Sequence, residues 1–556
     1  MFTALKKTPR DLPMTGELVP GILPSKGLNL RDMYDGMPPA DAIALINARP
    51  TARGVSMRYG YRTYAENLPG AGKVQALMSF FPASATSYPA ALFDGYLLAA
   101  TNGHIYDVTS GGAGAWTSLL AAAATSDFWS WLNFQNAGGN FLTLCNEAGG
   151  YYYMAATDLT AIVKVTQGGG AGQISGADPD TFAHHTVWKR RQWFIAKNST
   201  KAYYLPVDQL TGAVALWDFG PQFRHGGTLV ALENWTIDGG EGIDDYLVAV
   251  SSEGDVVIYK GYDPDTAGTD PAAFALHGIW YVGSLPAGRR SVKSIGGDVH
   301  ILTTQGLVQA SKLVALANLE RNSSTNISAK VDPLIELAMK TRAGVEDWYV
   351  ADIPSDNSLV LGLPETVAGQ GVRQLVFDTQ RLAWCLYQDV PVACMLDHDH
   401  VAFGGSHEDS PDGGKVFLLF DDYFDARSRA GIDGVGILAR VTPAYGIFDS
   451  PGIYKSASMV RLTLVYTYTP ELAISILGDF ITRTTASVAS LVATAGSRWN
   501  AAYWGVGRWF GEATPVRKWT GTIGGGYSLA AQIDLQGAGG TELVSLDWMI
   551  QKGGGL

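Results

Sequence analysis

The chain has 556 residues and a mass of 59.3 kDa, and 47% of its residues are hydrophobic, so it can bury a sizeable core and is not a disordered chain. Its net charge of −12 and isoelectric point near 5.2 argue against a protein that grips nucleic acid through clustered lysine and arginine. The 66 glycines and a charged fraction of only 17% favour many tight turns and large buried protein surfaces.

The cysteines Cys145, Cys385 and Cys394 are too few, and odd in number, for a disulfide framework. We expect free, buried thiols in a protein that folds in a reducing compartment. The start of the chain, MFTALKKTPRDLPM, lacks the apolar core of a signal peptide, and nowhere do about 18 apolar residues run together. We therefore expect neither a secretion signal nor a membrane span.

Residues 1–70 are rich in proline and glycine, which is typical of an extended arm that leads into the first strands. Pro38 and Pro39 favour an extended or turn conformation. Asp41 is placed to cap one short helical turn that carries the apolar residues of 42–46. Because exposed apolar clusters find partners, we predict that this N-terminal arm lies on the surface of something else.

The clearest β-hairpin pattern lies at residues 245–260, DYLVAVSSEGDVVIYK. Two runs of aromatic and β-branched residues flank a polar turn, and its glycine, Gly254, can take the positive φ of a tight reversal. A hairpin alone cannot bury enough apolar surface to stay folded. One that recurs along a chain is therefore expected to stack on its own copies.

Looser copies of this hairpin occupy residues 96–106, 141–152, 193–204, 298–308, 358–377 and 400–418. Their starts lie about 40 to 60 residues apart, which is the length of one four-stranded propeller blade. The sequence thus predicts a mainly β protein in which residues 71–425 form a β-propeller of six to eight blades, with seven favoured. Tryptophans beside the strands are expected to fill the core between blades.

Residues 313–342 depart from the strand pattern and predict two helical pieces. Asp332 and Pro333 open the second piece, in which Leu334 and Leu337 recur at helical spacing. We predict a helical insertion on one face of the propeller, where an added element can serve a neighbour.

After residue 425 the strands become longer and glycine runs separate them. The pattern predicts strands at residues 435–441, 456–469, 471–477, 528–535 and 543–550. Residues 426–556 are therefore predicted to form a separate antiparallel β domain, either a sandwich or a group of strands that joins copies of the chain. A loop with the sequence WNAAYWGVGRW lies at 499–509.

Motifs for phosphate and metal binding are incomplete. Residues 70–73, GAGK, lack the first glycine and the final hydroxyl residue of a phosphate-binding loop. The segment from Asp397 to Glu408 is rich in histidine and carboxylates. Its residues would point in different directions, which favours a solvated loop over a metal site.

Two further charged stretches are candidate sites. Asp238, Glu241, Asp244 and Asp245 resemble an oxygen-rich calcium turn without the EF-hand spacing, so the sequence leaves a structural calcium open. The basic stretch at 188–191 is expected to pair with carboxylates at an interface and not with phosphate. No GxSxG, HExxH or sialidase-type turn motif appears. We assign no catalytic, cofactor-binding or metal residues, and we expect no enzyme.

Several phrases together resemble the tail nozzle, or tail tubular, proteins of short-tailed bacteriophages (podoviruses). They are GLNLRDMYDGMPPADAIALINARP at 27–50, VSMRYGY at 55–61, AYYLPVDQL at 202–210, and the stretches 226–261 and 288–307. These phrases occur in order over the N-terminal two-thirds of the chain. The last third is similar only in its general sequence pattern, without matching phrases.

The resemblance implies a structural virion protein and not an enzyme. Proteins of that family form a ring of six copies below the portal and the head-to-tail adaptor, with a propeller in each subunit and a central channel through which the genome leaves. By this likeness we expect a homohexamer in the virion tail, synthesised and assembled in the host cytoplasm. Its partners would be the adaptor ring, tail fibres or spikes and a distal plug, and residues 426–556 would build the tube wall, helped by the N-terminal arm. An acidic or neutral lumen would let double-stranded DNA pass without trapping it.

The alternative is a propeller that binds or hydrolyses glycans, as a tail protein or a secreted one. A retaining glycosidase needs two carboxylates about 5 Å apart, a spacing that the sequence does not reveal. Cleavage or saturable binding of host polysaccharide, with paired carboxylates in one cleft, would favour it. A generic propeller scaffold is a third hypothesis, which a list of assembly partners would separate from the first.

Overall fold

The structure, a computed structural model, describes residues 16–553 except 71, 83–92, 239–242, 316–325, 365–371, 408–412, 427, 429–433, 482–485, 490 and 492–513. Within these residues the protein is mainly β, as expected, with 39 strands and two α-helices. Its contacts divide it into two compact units. Unit 1 contains the described parts of Met1–Gly27, Met33–Met57 and Ile437–Leu556, and unit 2 those of Leu28–Asp32 and Arg58–Gly436.

The N-terminal segment was predicted to be an arm with one helical turn that leads into the first strands, and it forms five strands. They are β1 (Glu17–Gly21), β2 (Ala42–Ile46), β3 (Ala48–Pro50), β4 (Val55–Met57) and β5 (Gly60–Ala65). The predicted helix at 42–46 is wrong, because these residues pair antiparallel with the C-terminal segment from Arg440 to Pro443. This long-range ladder, with Ala42 and Leu45 fully buried, outweighs the local helix signal.

Unit 2 is built mainly from small antiparallel sheets that follow one another along the chain. Its remaining strands are β6 (Ala76–Phe80), β7 (Tyr96–Thr101), β8 (His104–Asp107), β9 (Trp129–Asn136), β10 (Gly139–Asn146), β11 (Tyr151–Ala155), β12 (Asp158–Lys164), β13 (Ile174–Ser175), β14 (Phe182–Trp188), β15 (Arg191–Ala196), β16 (Lys201–Tyr204), β17 (Gly212–Ala213), β18 (Ala215–Asp218), β19 (Leu229–Asp238), β20 (Ile243–Ser251), β21 (Asp255–Gly261), β22 (Phe274–Tyr281), β23 (Val292–Ile295), β24 (Asp298–Thr303), β25 (Gly306–Gln309), β26 (Tyr349–Ile353), β27 (Ser358–Leu363), β28 (Arg373–Asp378), β29 (Ala383–Gln388), β30 (Val392–His398), β31 (Val401–Ser406) and β32 (Val416–Asp422).

These strands form seven sheets of three or four strands within the described part of unit 2. Sheet 1 is β6-β7-β8, sheet 2 is β9 to β12, sheet 3 is β14-β15-β16-β18 and sheet 4 is β19 to β22. Sheet 5 is β23 to β25, sheet 6 is β26 to β29, and sheet 7 is β30-β31-β32-β5. The two-residue strands β13 and β17 pair parallel with each other outside these sheets.

All seven predicted hairpins are confirmed as antiparallel pairs of neighbouring strands, one pair in each sheet. In the clearest of them Tyr246 pairs with Lys260, and Gly254 takes a φ of +92° in the turn. A Cβ atom on Gly254 would also lie 2.0 Å from the carbonyl oxygen of Gly283, so only glycine fits there.

The apolar core of unit 2 lies in layers between consecutive sheets. Separate buried clusters join sheets 1 and 2, 2 and 3, 3 and 4, and 4 and 5. Another joins sheet 7 to sheet 1, with Cys394 and Phe403 packed against Leu77 and Leu97. The first strands of consecutive sheets also contact each other, from β6 through β9, β14, β19, β23 and β26 to β30, and β30 contacts β6.

Most of the tryptophans predicted to fill the core are buried, while Trp131, Trp217 and Trp280 are partly buried. Among the tryptophans beside the strands, Trp188, Trp193, Trp235 and Trp384 are at most 2% exposed. The three cysteines are buried and free, as the sequence predicted.

Strand β5 completes sheet 7 by pairing antiparallel with β32. Just before it, the almost fully buried Arg58 donates to both carboxylate oxygens of Asp425 at 2.7 Å. The same guanidinium donates to the carbonyl oxygen of Gln388 and lies over the ring of Tyr387. This ion pair therefore ties the beginning of unit 2 to a residue near its end.

The helices are α1 (Ala310–Ala315) and α2 (Asp332–Arg342). The predicted start of the second helical piece at Asp332 is confirmed, with Pro333 in the first turn. Its buried face consists of Ile335, Ala338 and Met339, whereas Leu337 is 55% exposed. The first piece begins earlier than predicted, and 316–325 lie outside the described residues. Neither described helix is long and apolar enough to cross a membrane.

Unit 1 contains two antiparallel sheets. Its C-terminal strands are β33 (Ile437–Pro443), β34 (Lys455–Tyr466), β35 (Glu471–Gly478), β36 (Ser487–Ala489), β37 (Thr514–Gly526), β38 (Leu529–Gly537) and β39 (Glu542–Lys552). One sheet has the order β3-β4-β39-β34-β37, with β1 also paired to β39, and in the other the unit 1 strands follow the order β2-β33-β38-β35-β36.

The five predicted C-terminal strands are confirmed within a few residues, while β36 and β37 were not predicted. Strand β37 ends in the run Gly524 to Gly526, which has the composition of a loop. A Cβ atom on Gly524 would lie 2.4 Å from the side chain of Ile476 in β35, so glycine allows close packing there. The predicted loop at 499–509 lies outside the described residues.

The division into units differs from the predicted limits of 1–70, 71–425 and 426–556. Strands β1 to β4 belong with the C-terminal strands in unit 1, β5 belongs to unit 2, and unit 2 extends to Gly436. The N-terminal segment is therefore shared between the two units because its strands pair with sheets in both.

We predict that Asp425→Ala destabilises unit 2 by about 3 to 5 kcal/mol, because it leaves the buried Arg58 guanidinium without its counter-charge. The matched control is Asp421→Ala, which removes the exposed 3.2 Å pair with Arg62 and should cost less than about 1 kcal/mol. Urea unfolding of both variants, followed by tryptophan fluorescence, measures the difference. Equal losses in the two variants would contradict the role given to Arg58.

Candidate functional site

A cavity of ≈ 590 Å³ lies within unit 2, among the first strands of its seven sheets. Each of these strands contributes to the lining, through Leu77, Trp131, Thr186, Glu233, Lys293, Asp352 and Leu396 respectively. The volume is within the range of small-molecule sites. The lining includes several charged side chains. Which of them already have protein partners determines which are available to a ligand.

Arg289 lies in the segment that leads into sheet 5 and lines the cavity. Its Nη1 donates to the carbonyl oxygens of Leu229 at 3.1 Å and Val230 at 2.6 Å, at the beginning of β19. Glu147 accepts a hydrogen bond from the Arg289 backbone N–H, and burial raises the pKa of this carboxyl although Arg290 and Arg289 oppose the rise. Nη1 of the Arg289 guanidinium is therefore engaged by protein groups.

Arg290 reaches three other sheets from the same segment. Its Nη1 donates to the carbonyl oxygens of Gln75, just before sheet 1, at 3.1 Å and of Ala393, in sheet 7, at 3.4 Å. Its Nη2 donates to the carbonyl oxygen of Glu346 at 2.9 Å, and the guanidinium lies 4.4 Å from the ring centroid of Phe128, just before sheet 2. Both arginines thus hold the beginnings of the first strands together at one end of the cavity.

Three more charged side chains line the cavity: Lys293, Glu233 and Asp352. Burial raises the pKa of Glu233 to about 7, although Lys293 and the N–H of Ser294 oppose the rise. The pKa of Asp352 is also raised, by burial and by Asp397, against the effect of Lys293. Within the described part of the chain, Lys293 has no ion-pair partner and Asp352 accepts no hydrogen bond. Lys293 and Asp352 are therefore available to a ligand, whereas Glu233 already accepts a hydrogen bond from the N–H of Ser294.

Two histidines of β14 also line the cavity. Both ring nitrogens of His185 are engaged, Nδ1 with Ser130 Oγ at 3.1 Å and Nε2 with Thr143 Oγ1 at 3.0 Å. Burial lowers the pKa of His185 to about 3, so this ring is neutral at neutral pH. His184 is 8% exposed and its Nδ1 has no partner among the described residues.

The basic stretch at 188–191 pairs with carboxylates, as predicted. Lys189 binds Asp245 at 2.7 Å, and Arg191 binds Asp263 and Asp265, each at 2.8 Å. These partners belong to the same unit, so the pairs join sheets 3 and 4 and no interface with another molecule is needed to explain them.

The possible calcium turn lies partly outside the described residues, which exclude 239–242. Of its carboxylates, Asp245 already binds Lys189 and accepts a hydrogen bond from Thr236 Oγ1 at 2.8 Å. No group of histidine, cysteine and carboxylate side chains in the described part of the chain is arranged to hold a metal. Lys73 of the rejected phosphate loop pairs with Asp347 at 3.7 Å.

The histidine- and aspartate-rich segment places its side chains in different environments, as predicted. His398 is buried, and its Nδ1 lies 2.6 Å from Ser79 Oγ. Asp397 accepts a hydrogen bond from the N–H of Ser355 at 2.8 Å. Glu408 lies outside the described residues.

The grouping of Glu233, Lys293 and Asp352 was missed at the level of sequence. A signal was present, since each charge interrupts an apolar run, in LVALENW, SVKSI and YVADI. Each run is the first strand of its sheet. No local rule states that three such strands face one space, so only the packing of the sheets brings the charges together.

We predict that Glu233 makes unit 2 less stable as pH rises. With a folded pKa of about 7 against an ordinary 4.5, the folded state holds a proton in this window that the unfolded state releases. The stability of Glu233→Gln relative to the native chain should therefore increase as the pH is raised from 5 to 8. The increase in the free energy of unfolding should be at most about 3 kcal/mol. Urea unfolding at both pH values measures this, with Glu253→Gln in an exposed turn as the control. A pH-independent difference would contradict the assignment.

No family model and no curated protein matches the chain. Among solved structures, the crystal structure of BBS1N in complex with ARL6DN, soaked with lead, matches with 10% sequence identity over 62% of this chain and 79% of that chain. The TM-score of 0.27 is too low for this similarity to carry an argument about fold or function.

Proposed function

We propose that unit 2 is a seven-bladed β-propeller and that the protein is a structural virion component, the distal tail tube or nozzle of a short-tailed bacteriophage. It would form a ring, a homohexamer by family resemblance, whose central channel retains the genome and then conducts it during ejection. The protein would act as a structural element and not as an enzyme.

The propeller proposal is supported by the order of contacts in unit 2. Apolar layers join sheets 1 to 5 in order, and another layer joins sheet 7 back to sheet 1. The first strands of sheets 5, 6 and 7 contact one another. In an open row of sheets the first and the last would not meet. A strand from the beginning of the unit, β5, is also the fourth strand of sheet 7, which is a way to close a propeller.

The tail proposal is carried by apolar side chains that unit 1 leaves exposed. Ile523 is 81% exposed, Val488 79%, Ile481 64% and Leu438 56%. Ile523 and Val488 are, with Met33, the most exposed large apolar side chains of the described residues, and all three belong to unit 1, where we propose that another molecule covers them. Together with the phrases that resemble nozzle proteins, they support a ring in which unit 1 contacts neighbouring copies through repeated, non-self-complementary surfaces.

The net negative charge of the chain supports a channel through which DNA passes without being bound. With a net charge of −12, the chain lacks the excess of lysine and arginine that holds phosphates by counterion release. Its proposed partners are the head-to-tail adaptor ring, tail fibres or spikes and a distal plug. Double-stranded DNA would pass the lumen without specific contacts.

We predict that the purified protein assembles into rings visible by electron microscopy, and that Ile523→Asp combined with Val488→Asp prevents this assembly without unfolding the chain. Placing charges at these exposed positions leaves the folded chain unstrained but opposes burial in an interface. The control is Leu382→Asp, at a 70% exposed position of unit 2. A native chain that stays monomeric and joins neither adaptor nor tail would end the proposal.

The alternative, a propeller that hydrolyses glycans, is tested with the same preparation. Incubation with host polysaccharide would release reducing ends if the carboxylates of the unit 2 cavity acted as a catalytic pair. Rings without any such release favour the structural role.

A further inference from the structure

We propose that the cavity of unit 2 is a binding site for a neutral saccharide, with Lys293, Glu233 and Asp352 forming hydrogen bonds to its hydroxyl groups and Phe81 and Trp131 contacting its apolar face. The proposal concerns reversible binding and involves no chemical step. It does not depend on the tail proposal, because it rests on groups within unit 2 alone.

The two ends of the cavity differ. Arg289 and Arg290 lie at the end where the first strands begin, and they donate to carbonyl oxygens of several sheets there. At the other end of these strands the lining residues Pro354, Asp399 and His400 are exposed. This exposed end, past the ends of β26 and β30, is open to a ligand.

Two buried side chains of the lining carry polar atoms without a partner. Trp129 is 4% exposed and its Nε1 has no hydrogen-bond partner among the described residues, and the same holds for Nδ1 of His184. Unpartnered polar atoms that are buried are rare in proteins and call for an explanation such as a bound water. Both atoms are themselves fully buried, so they mark polar places in the wall and do not contact a ligand in the open part of the cavity.

The available charges favour a neutral ligand. The lining carries cations on Arg289, Arg290 and Lys293, and carboxyl groups on Glu147, Glu233, Asp352, Asp397 and Asp399. Burial raises the pKa of Glu147 and of Glu233, which reduces their negative charge, so charges of both signs line the cavity and neither sign is in large excess. An anion would face Asp352 and a cation would face Lys293, whereas a neutral molecule meets both without a Coulomb cost.

Hydroxyl groups suit this set of partners, because each one both donates and accepts a hydrogen bond. The carboxylates accept from hydroxyls, while the lysine donates to hydroxyl or ring oxygens. Phe81, which is 43% exposed, and the partly buried Trp131 add aromatic surface for the C–H face of a sugar ring. A cavity of ≈ 590 Å³ is large enough for one or two sugar units.

The test uses the full chain and four probes: glucose, galactose, mannose and N-acetylglucosamine. Binding is followed by tryptophan fluorescence and by saturation-transfer NMR. We expect saturable binding of at least one probe, weakened about tenfold or more by Asp352→Asn and by Lys293→Met, since each removes a hydrogen bond to the ligand. The matched controls on the surface of α2 are Glu336→Gln and Lys340→Met, an exposed pair 4.0 Å apart, which should leave binding unchanged.

The proposal is overturned if none of the four sugars binds saturably, or if both cavity variants bind like the native chain. Tighter binding of glucuronate or spermidine than of every neutral sugar would overturn it as well, by making the site one for charged ligands. Thermal unfolding of each variant shows whether it is folded, and Lys293→Met, at an exposed side chain, keeps the test valid if Asp352→Asn is unstable. Ring assembly is scored separately, so failure of one proposal is distinguishable from failure of the other.

Discussion

The structure of unit 2 depends on a constraint on small antiparallel sheets, which cannot stay folded alone when both of their faces are apolar. Sheets 1 to 5 are covered by their neighbours through the apolar clusters that lie between consecutive sheets. Sheet 7 is covered by sheet 1 and receives its outer strand from β5. The Arg58–Asp425 pair also links the beginning of the unit to a residue near its end.

The same packing creates the cavity. Since the first strands of the sheets contact one another in sequence, the side chains on their inner faces share one space. A set of purely apolar residues would fill such a space, but Glu233, Lys293 and Asp352 interrupt the apolar runs. Arg289 and Arg290 replace part of the missing apolar contact with hydrogen bonds to carbonyl oxygens. The outcome is a polar interior inside an apolar scaffold.

The two units present different kinds of surface. Unit 1 exposes apolar side chains on strands and turns, which suits contact with other protein molecules. Unit 2 presents a concave site with few unoccupied charges, which suits a small polar molecule. Assembly and ligand binding would therefore be separable properties, and variants of one unit should leave the other property intact.

Local patterns in the sequence determined the seven hairpins, the start of α2 and five C-terminal strands, because alternation, turn glycines and helix-opening residues act over a few positions. Distant pairing decided the rest. Residues 42–46 became a strand through β33, and β37 formed in spite of its glycines through a long ladder with β34. The cavity also came only from tertiary structure, because charges that lie far apart in sequence meet when separate strands converge. No rule over neighbouring residues encodes that convergence, since burial between sheets is a property of the whole unit.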